Sequence, residues 1–238
     1  APLLLGNIVQ QFYNMVDSII VGNYVGQNAL AAVGTCGSMG FLFFSLSSGL
    51  AIGIGIIVSQ YFGAKDYQNV RTTIGSSLYV LSISAFIVTL IGVFLSPALL
   101  KLLQCPNTIF KDAVTYVRVT SLGIVFIALY NGVAAILRAL GDSKSPLYFL
   151  IISSIVNIAL DLLFVLVLNW EVFGVAFATV ISQAISAIAS FMYAYKKVDF
   201  FRLTPQELKP KKKIIANSFK LGVPLALQNS PITESPTL

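Results

Sequence analysis

Apolar residues run in continuous blocks of about 20 or more, the length that crosses ~30 Å of hydrocarbon, and short polar turns separate the blocks. The runs are unbroken and do not alternate, which predicts spanning helices and not barrel strands. Six spans are predicted. The first covers about Pro2 to Gly22 and closes at Asn23-Tyr24. The second runs from about Leu30 to Phe62 and ends at Gly63-Ala64-Lys65-Asp66. Its length and its glycines (Gly34, Gly37, Gly40, Gly49, Gly53) predict close helix packing, with tilt, a kink or extension beyond the bilayer. The third covers about Thr73 to Leu95 and stops at Ser96-Pro97, followed by a mildly amphipathic connector through Lys111. The fourth extends to about Leu140 before Gly141-Asp142-Ser143. The fifth runs from Pro146, favoured in a first helical turn, to Leu168, and the sixth from about Val172 to Tyr195.

The predicted fold class is therefore all-α, a polytopic transmembrane helix bundle. Residues 1–195 form one six-helix lobe, and 196–213 form a polar, basic linker with Pro205 and Pro210. Residues 214–238 begin a further unit, with Ile214 to Leu227 starting a seventh span. Pro224-Leu225-Ala226-Leu227-Gln228 faintly echoes Pro2-Leu3-Leu4-Leu5, as repeats in transporters do. At the start, Ala1-Pro2-Leu3-Leu4-Leu5 reads as a span already under way, without initiator methionine, basic segment or cleavage site. The stretch from Asn229 to Leu238 is polar and proline-bearing and reads as a sequence end.

Composition sharpens this picture. Of 238 residues 57% are hydrophobic and 10% charged, against roughly 25% charged in soluble domains, so a water-facing surface cannot be built. The net charge of +6 is concentrated where it sets topology. Lys65 and Arg71 follow span two, Arg138 and Lys144 flank the turn after span four, and Lys196, Lys197, Arg202, Lys209, Lys211, Lys212 and Lys213 follow span six. The positive-inside rule puts these loops and the N-terminus in the cytoplasm of a multi-pass cell-membrane protein. No nucleic-acid partner is expected. With two cysteines and no histidine, Cys/His metal sites are not expected either.

The polar residues inside the spans carry the candidate chemistry. A carboxylate at mid-membrane costs roughly 2.5–3.5 kcal/mol on insertion scales and usually lines a pathway. Asp17 lies ~9 Å, and Asp161 ~12 Å, below the same end of their spans at 1.5 Å per residue. Asn157 is one turn from Asp161, and Asn14 and Gln10 extend a stripe from Asp17. Thr179 on span six and Tyr116 on span four enter a comparable layer. Carboxylate, amide and hydroxyl oxygens suit a hard cation, and a carboxylate in low dielectric also holds a proton. Pro2 serves as a helix start or as a bend point.

These residues carry a family resemblance. Gln10-Gln11-Phe12-Tyr13-Asn14-Met15-Val16-Asp17-Ser18-Ile19-Ile20-Val21-Gly22 resembles the first-helix signature of multidrug and toxic compound extrusion transporters. Ser59-Gln60-Tyr61-Phe62-Gly63-Ala64-Lys65 resembles the end of that family's second helix. Arg138-Ala139-Leu140-Gly141-Asp142 and Asn157-Ile158-Ala159-Leu160-Asp161 resemble its turn after helix four and its helix five. The resemblance implies one lobe of a two-lobe, V-shaped exporter, with residues 214–238 starting the second lobe and most of that lobe missing. It implies export of small organic compounds in exchange for H⁺ or Na⁺, without an organic cofactor, and no transport by this fragment alone. It also implies a cation site at Asp17, Asn157, Asp161 and Thr179, with Tyr116 nearby and Pro2 as the bending proline.

Two rival readings remain open at this stage. A lipid-linked oligosaccharide flippase of related fold needs several cations lining its cavity, and only Arg118 is a candidate within the spans. An intramembrane aspartyl protease needs a Gly-x-Gly-Asp motif, which Ala139-Leu140-Gly141-Asp142 only approaches. No G-x-x-x-x-G-K-[ST] phosphate loop is present, in keeping with ion coupling and a non-enzymatic protein.

Overall fold

The computed structural model describes residues 2–228. Among them every regular element is helical: α1 Pro2–Ile20, α2 Gln27–Gly63, α3 Tyr67–Leu102, α4 Phe110–Leu122, α5 Ile124–Ala139, α6 Ser145–Leu162, α7 Glu171–Lys197 and α8 Lys212–Gln228. Four helices (α2, α3, α6 with its following turn, and α7) are long and apolar enough to cross a membrane, and the bent pair α4–α5 makes a fifth crossing. The first predicted span is α1, whose hydropathy is lowered by Asn7, Gln10, Gln11, Asn14 and Asp17. The helices share one basic end, near Lys65, Lys144 and Lys197, and an opposite far end.

The bundle is apolar outside, and its interior mixes apolar packing with buried polar side chains. Leu5, Ile8, Phe12, Met15 and Ile19 of α1 are exposed, as are Ile83, Phe86, Leu90 and Phe94 of α3, faces suited to lipid. Buried serines such as Ser77, Ser190 and Ser218 return their hydroxyls to carbonyls three or four residues back, which pairs them locally in the interior.

Three expectations change. Span three does not stop at Ser96-Pro97: α3 is one helix of 36 residues with Pro97 inside it, about 54 Å long. Proline removes one amide and frees the carbonyl four residues back. That carbonyl, on Val93, accepts from Arg118 Nε at 3.2 Å and Ser96 Oγ at 3.4 Å, so the helix continues and the connector shrinks to residues 103–109. Span four is not one straight helix either: α4 and α5 meet at a 44° bend. Gly123 sits at the break, where a Cβ would lie 2.7 Å from Gln183 Oε1 and 3.1 Å from Val180, so α7 occupies the space that a side chain would need. Pro224 lies inside α8 and not at a helix start.

The linker after α7 is docked. Phe201 is buried, Phe200 packs edge-on against Phe62, and Arg71 Nη1 donates to Arg202 O at 2.9 Å. Lys211 N donates to Ser76 Oγ at 3.2 Å. From there α8 lies along α2 in a contact of small residues: a Cβ on Gly49 would meet Ala226 at 2.6 Å, and one on Gly53 would meet the Gly222 amide at 2.9 Å. Such pairs let two backbones approach closely. By contrast Gly34, Gly37 and Gly40 face open space. Residues 229–238, read as a sequence end, lie outside the described residues.

At the basic end Asp142 organises the α5–α6 turn, where Gly141 takes a positive φ of 98°. Its carboxylate accepts from Lys144 N at 3.2 Å, Ser145 N at 3.0 Å and Tyr193 Oη at 3.2 Å. Burial acts to raise this carboxyl, but the hydrogen bonds from Ser145, Tyr193 and Lys144 outweigh it and hold it below its ordinary value.

Two predictions follow from this packing. Gly53→Ala destabilises the lobe by about 1–3 kcal/mol through overpacking, whereas Gly63→Ala, with no atom within 4 Å of its Cβ position, stays within about 0.5 kcal/mol; thermal unfolding in detergent compares them. Asp142→Ala costs about 1 kcal/mol at neutral pH, as loss of a helix cap does. A lowered folded pKa gives stability that is full above the unfolded value and lost as pH falls through the folded one. The gap between variant and wild type therefore closes below about pH 4.

Candidate functional site

The site is built on α1 and α6. These helices run parallel in a fixed register, with Gly6 against Leu147 and Leu150 near the basic end and Asp17 meeting Asp161 toward the far end. The stripe Gly6, Gln10, Tyr13, Asp17 and Ile20 recurs at helical spacing, so it forms the inward face of α1. On α6, Asn157 and Asp161 are one turn apart and face inward too. Asp161 is 0%, Asn157 1%, Asp17 7% and Thr179 7% exposed, so all four predicted ligand positions are interior.

The two carboxyl groups are near enough for each to act on the other's charge. Asp17 Oδ1, both Asp161 oxygens and both polar atoms of the Asn157 amide have no hydrogen-bond partner among the described residues. Buried polar atoms are normally paired, and five unpaired ones in a single cluster mark a place for a further group. Thr179 Oγ1 donates to Val175 O at 3.0 Å, so its hydroxyl oxygen keeps its acceptor capacity. The buried Tyr13 and Tyr116 hydroxyls lie in the same electrostatic neighbourhood as Asp17 and Asp161.

Beyond the carboxyl pair, an apolar cluster closes the far end: Ile20, Val21, Ala29, Val165, Val172 and Val175. Both carboxylate-bearing helices finish there in a π turn, Val21–Val25 after α1 and Leu163–Val167 after α6. Such turns are uncommon and frequent at functional sites. The first closes on Gly26, whose φ of 118° suits glycine, with its amide donating to Val21 O at 3.0 Å.

On the other side of the pair a cavity of about 520 Å³ opens between α1, α2, α5, α6 and α7. Phe41, Phe44 and Phe126 give it aromatic walls, while Ser45, Ser153 and Asn131 give it polar ones. Tyr13 and Asn157 line it as well, so the cavity and the carboxyl site share two side chains. Ser153 Oγ donates to Ser182 O at 2.9 Å and ties α6 to α7 along its wall.

The structure brings Asp17, Asn157, Asp161 and Thr179 together, with Tyr116 adjacent. Gln10 lines the cavity. Asn14 does not: its side chain is exposed, and its carbonyl accepts from Ser18 Oγ. Pro2 is the first residue of α1. Arg118 is exposed on α4, engaged at Val93, and lines no part of the cavity. Asp142, the protease candidate, caps α6 at the basic end, away from the other carboxyls. Sequence reasoning missed Tyr13, Gln183 and Arg138, all cavity-lining. The position of Tyr13, one turn before Asp17, was the available signal for the first.

The MatE family model matches residues 2–163. A probable multidrug resistance protein of Bacillus subtilis (strain 168), YpnP, is 33% identical over 98% of this chain and 52% of its own length. The chain thus spans about half the length of the curated relatives it matches. Among solved structures, an outward-facing multidrug resistance MATE transporter of the MOP superfamily is 26% identical, with a TM-score of 0.87 over 96% of this chain and 51% of its own. An inward-facing one is 25% identical, with a TM-score of 0.87 over 94% and 51%. Family match, sequence relatives and fold agree: this chain belongs to the MatE family, the multidrug and toxic compound extrusion transporters.

Proposed function

We propose that this lobe forms the cation-coupling half of a secondary active exporter that moves small organic compounds outward in exchange for H⁺ or Na⁺. The observation that carries the reading is the Asp17–Asp161 pair, buried and close together, with Asp17 Oδ1 and both Asp161 oxygens unpartnered among the described residues. A proton on one carboxyl lets it donate to the other. A sodium ion would instead find oxygens on Asp17, Asp161, Asn157 and Thr179, a hard-donor set. Either cation removes the like-charge repulsion between the carboxylates.

Coupling follows from the shared side chains. Asn157 and Tyr13 belong to the cation site and line the cavity, so a cation that reorients them changes the walls a substrate meets. Only a difference in cation affinity between the two access states can drive the change. The basic end faces the cytoplasm on charge grounds, and α1, beginning at Pro2, is the element whose movement follows the carboxyls. Equal agreement with outward- and inward-facing relatives supports movement of the lobe as a unit. The aromatic walls suit apolar organic molecules, and the names of the relatives, multidrug resistance proteins, support drug-like substrates. Of the several cations that the flippase alternative needs along its cavity, Arg118 is absent and, among the described residues, Arg138 alone is present.

In the complete transporter, Asp17→Asn and Asp161→Asn each reduce gradient-driven dye efflux by at least about 100-fold, the scale of losing one buried charge interaction. Efflux measured with the proton and sodium gradients collapsed separately identifies the ion. Wild-type efflux in both variants would refute the reading. A second test concerns the pair itself. With Cys36 and Cys105 replaced by serine, Asp17→Cys combined with Asp161→Cys binds Cd²⁺ roughly 10-fold or more tighter than either single cysteine, because two thiolates chelate a soft ion. Equal affinities for the single and double variants count against adjacent side chains.

A further inference from the structure

The cavity has a second charged end. Arg138, in the last turn of α5, lines it together with Ser143 and Pro146. Arg138 is only partly exposed. The carboxylate nearest in sequence, Asp142, is four residues on, but its oxygens are taken by Lys144 N, Ser145 N and Tyr193 Oη. The ion pairs among the described residues are Arg71 with Glu207 and Arg202 with Asp199, and neither involves Arg138. Tyr130, two turns before Arg138 on the same helix, lines the cavity too, but its hydroxyl is committed to Pro146 O at 2.8 Å. The guanidinium is thus a fork of donors at the cavity's basic end without an anionic partner among the described residues.

The other end differs. Tyr13 and Asn157 lie there beside the carboxyl pair, and eleven residues of α6 separate Pro146 from Asn157, about 16 Å of helix. A cavity of about 520 Å³ with aromatic walls is therefore positive at one end and acidic at the other. Guanidinium matches a planar oxyanion bidentately, and a partly desolvated one discriminates strongly between an anion and its masked form.

We propose that Arg138 forms an oxyanion-recognition subsite, giving the cavity a preference for amphipathic molecules that carry a carboxylate or phosphate as well as an apolar, cation-bearing body. The inference rests on the export reading for its substrate. It concerns the substrate's anionic group and is independent of which ion drives transport.

The test is equilibrium binding to the complete purified transporter in lipid nanodiscs, read by dye fluorescence. Rhodamine B, with a free carboxylate, is compared with its ethyl ester, which keeps the same ring cation and masks the carboxylate. Arg138→Gln weakens rhodamine B binding about 10-fold or more, leaves the ester within about 2-fold, and Arg138→Lys falls between. Because binding and not gradient-driven efflux is read, failure of ion coupling does not affect the result. Equal weakening of both dyes, or of neither, overturns the proposal, the first outcome assigning Arg138 a structural role. Nanodiscs of phosphatidylcholine alone and with phosphatidylglycerol separate the sources of the oxyanion. Competition by phosphatidylglycerol that vanishes in Arg138→Gln identifies a lipid phosphate as a ligand of the same guanidinium, and rhodamine B binding independent of lipid identifies the free solute.

Discussion

Two carboxyl groups held face to face inside an apolar bundle set the terms for the rest of this lobe. Each costs roughly 2.5–3.5 kcal/mol to place at mid-membrane. Two unit charges about 4 Å apart repel by about 4 kcal/mol even at an effective dielectric of 20. The arrangement survives because the surrounding packing fixes it. The parallel register of α1 and α6 brings Asp17 to Asp161. The cluster of Ile20, Val21, Ala29, Val165, Val172 and Val175 seals the far side, and serine hydroxyls along α6 and α7 lock the neighbouring helices. Without that frame either side chain would turn toward water or lipid headgroups.

The same frame joins chemistry to cavity. Tyr13 and Asn157 line the cavity and lie near the carboxyl pair, which is the route by which the proposed coupling would reach the cavity walls. At the other end Arg138 gives the cavity a positive pole, and Asp142, the acid nearest it in sequence, is spent on capping α6. The small-residue contact of α2 with α8 and the docked segment after α7 hold the basic end rigid, which suits a lobe that resembles outward- and inward-facing relatives equally well.

Much of this was legible in the sequence, because span length and helical rise are simple arithmetic. The order of the helices came from apolar runs, although α1, predicted as the first of six spans, falls short of the hydropathy that the other five crossings reach. Counting from the polar turns placed Asp17 and Asp161 at similar depth, where the structure brings them together. Features that depend on a neighbouring helix were not legible. Pro97 reads as a helix end until Arg118 Nε, from another helix, is seen to donate to Val93 O. Gly123 looks ordinary until Gln183 of α7 presses against it. Arg138 looked like a topology signal because nothing in its sequence shows that Asp142 is bound elsewhere. The π turns after α1 and α6 have no signature in residue type.

The central claim is that one cation and one substrate are coupled through the Asp17–Asp161 pair, and the most direct test is thermodynamic linkage. In the complete purified transporter, the affinity for a fluorescent organic substrate is measured at a series of Na⁺ concentrations at fixed pH, and at a series of pH values without Na⁺. The account predicts that affinity depends on one of these cations, that the substrate shifts the affinity for that cation by the same factor, and that both effects vanish in Asp161→Asn. Substrate affinity that ignores both cations, or a dependence that survives in Asp161→Asn, would contradict it.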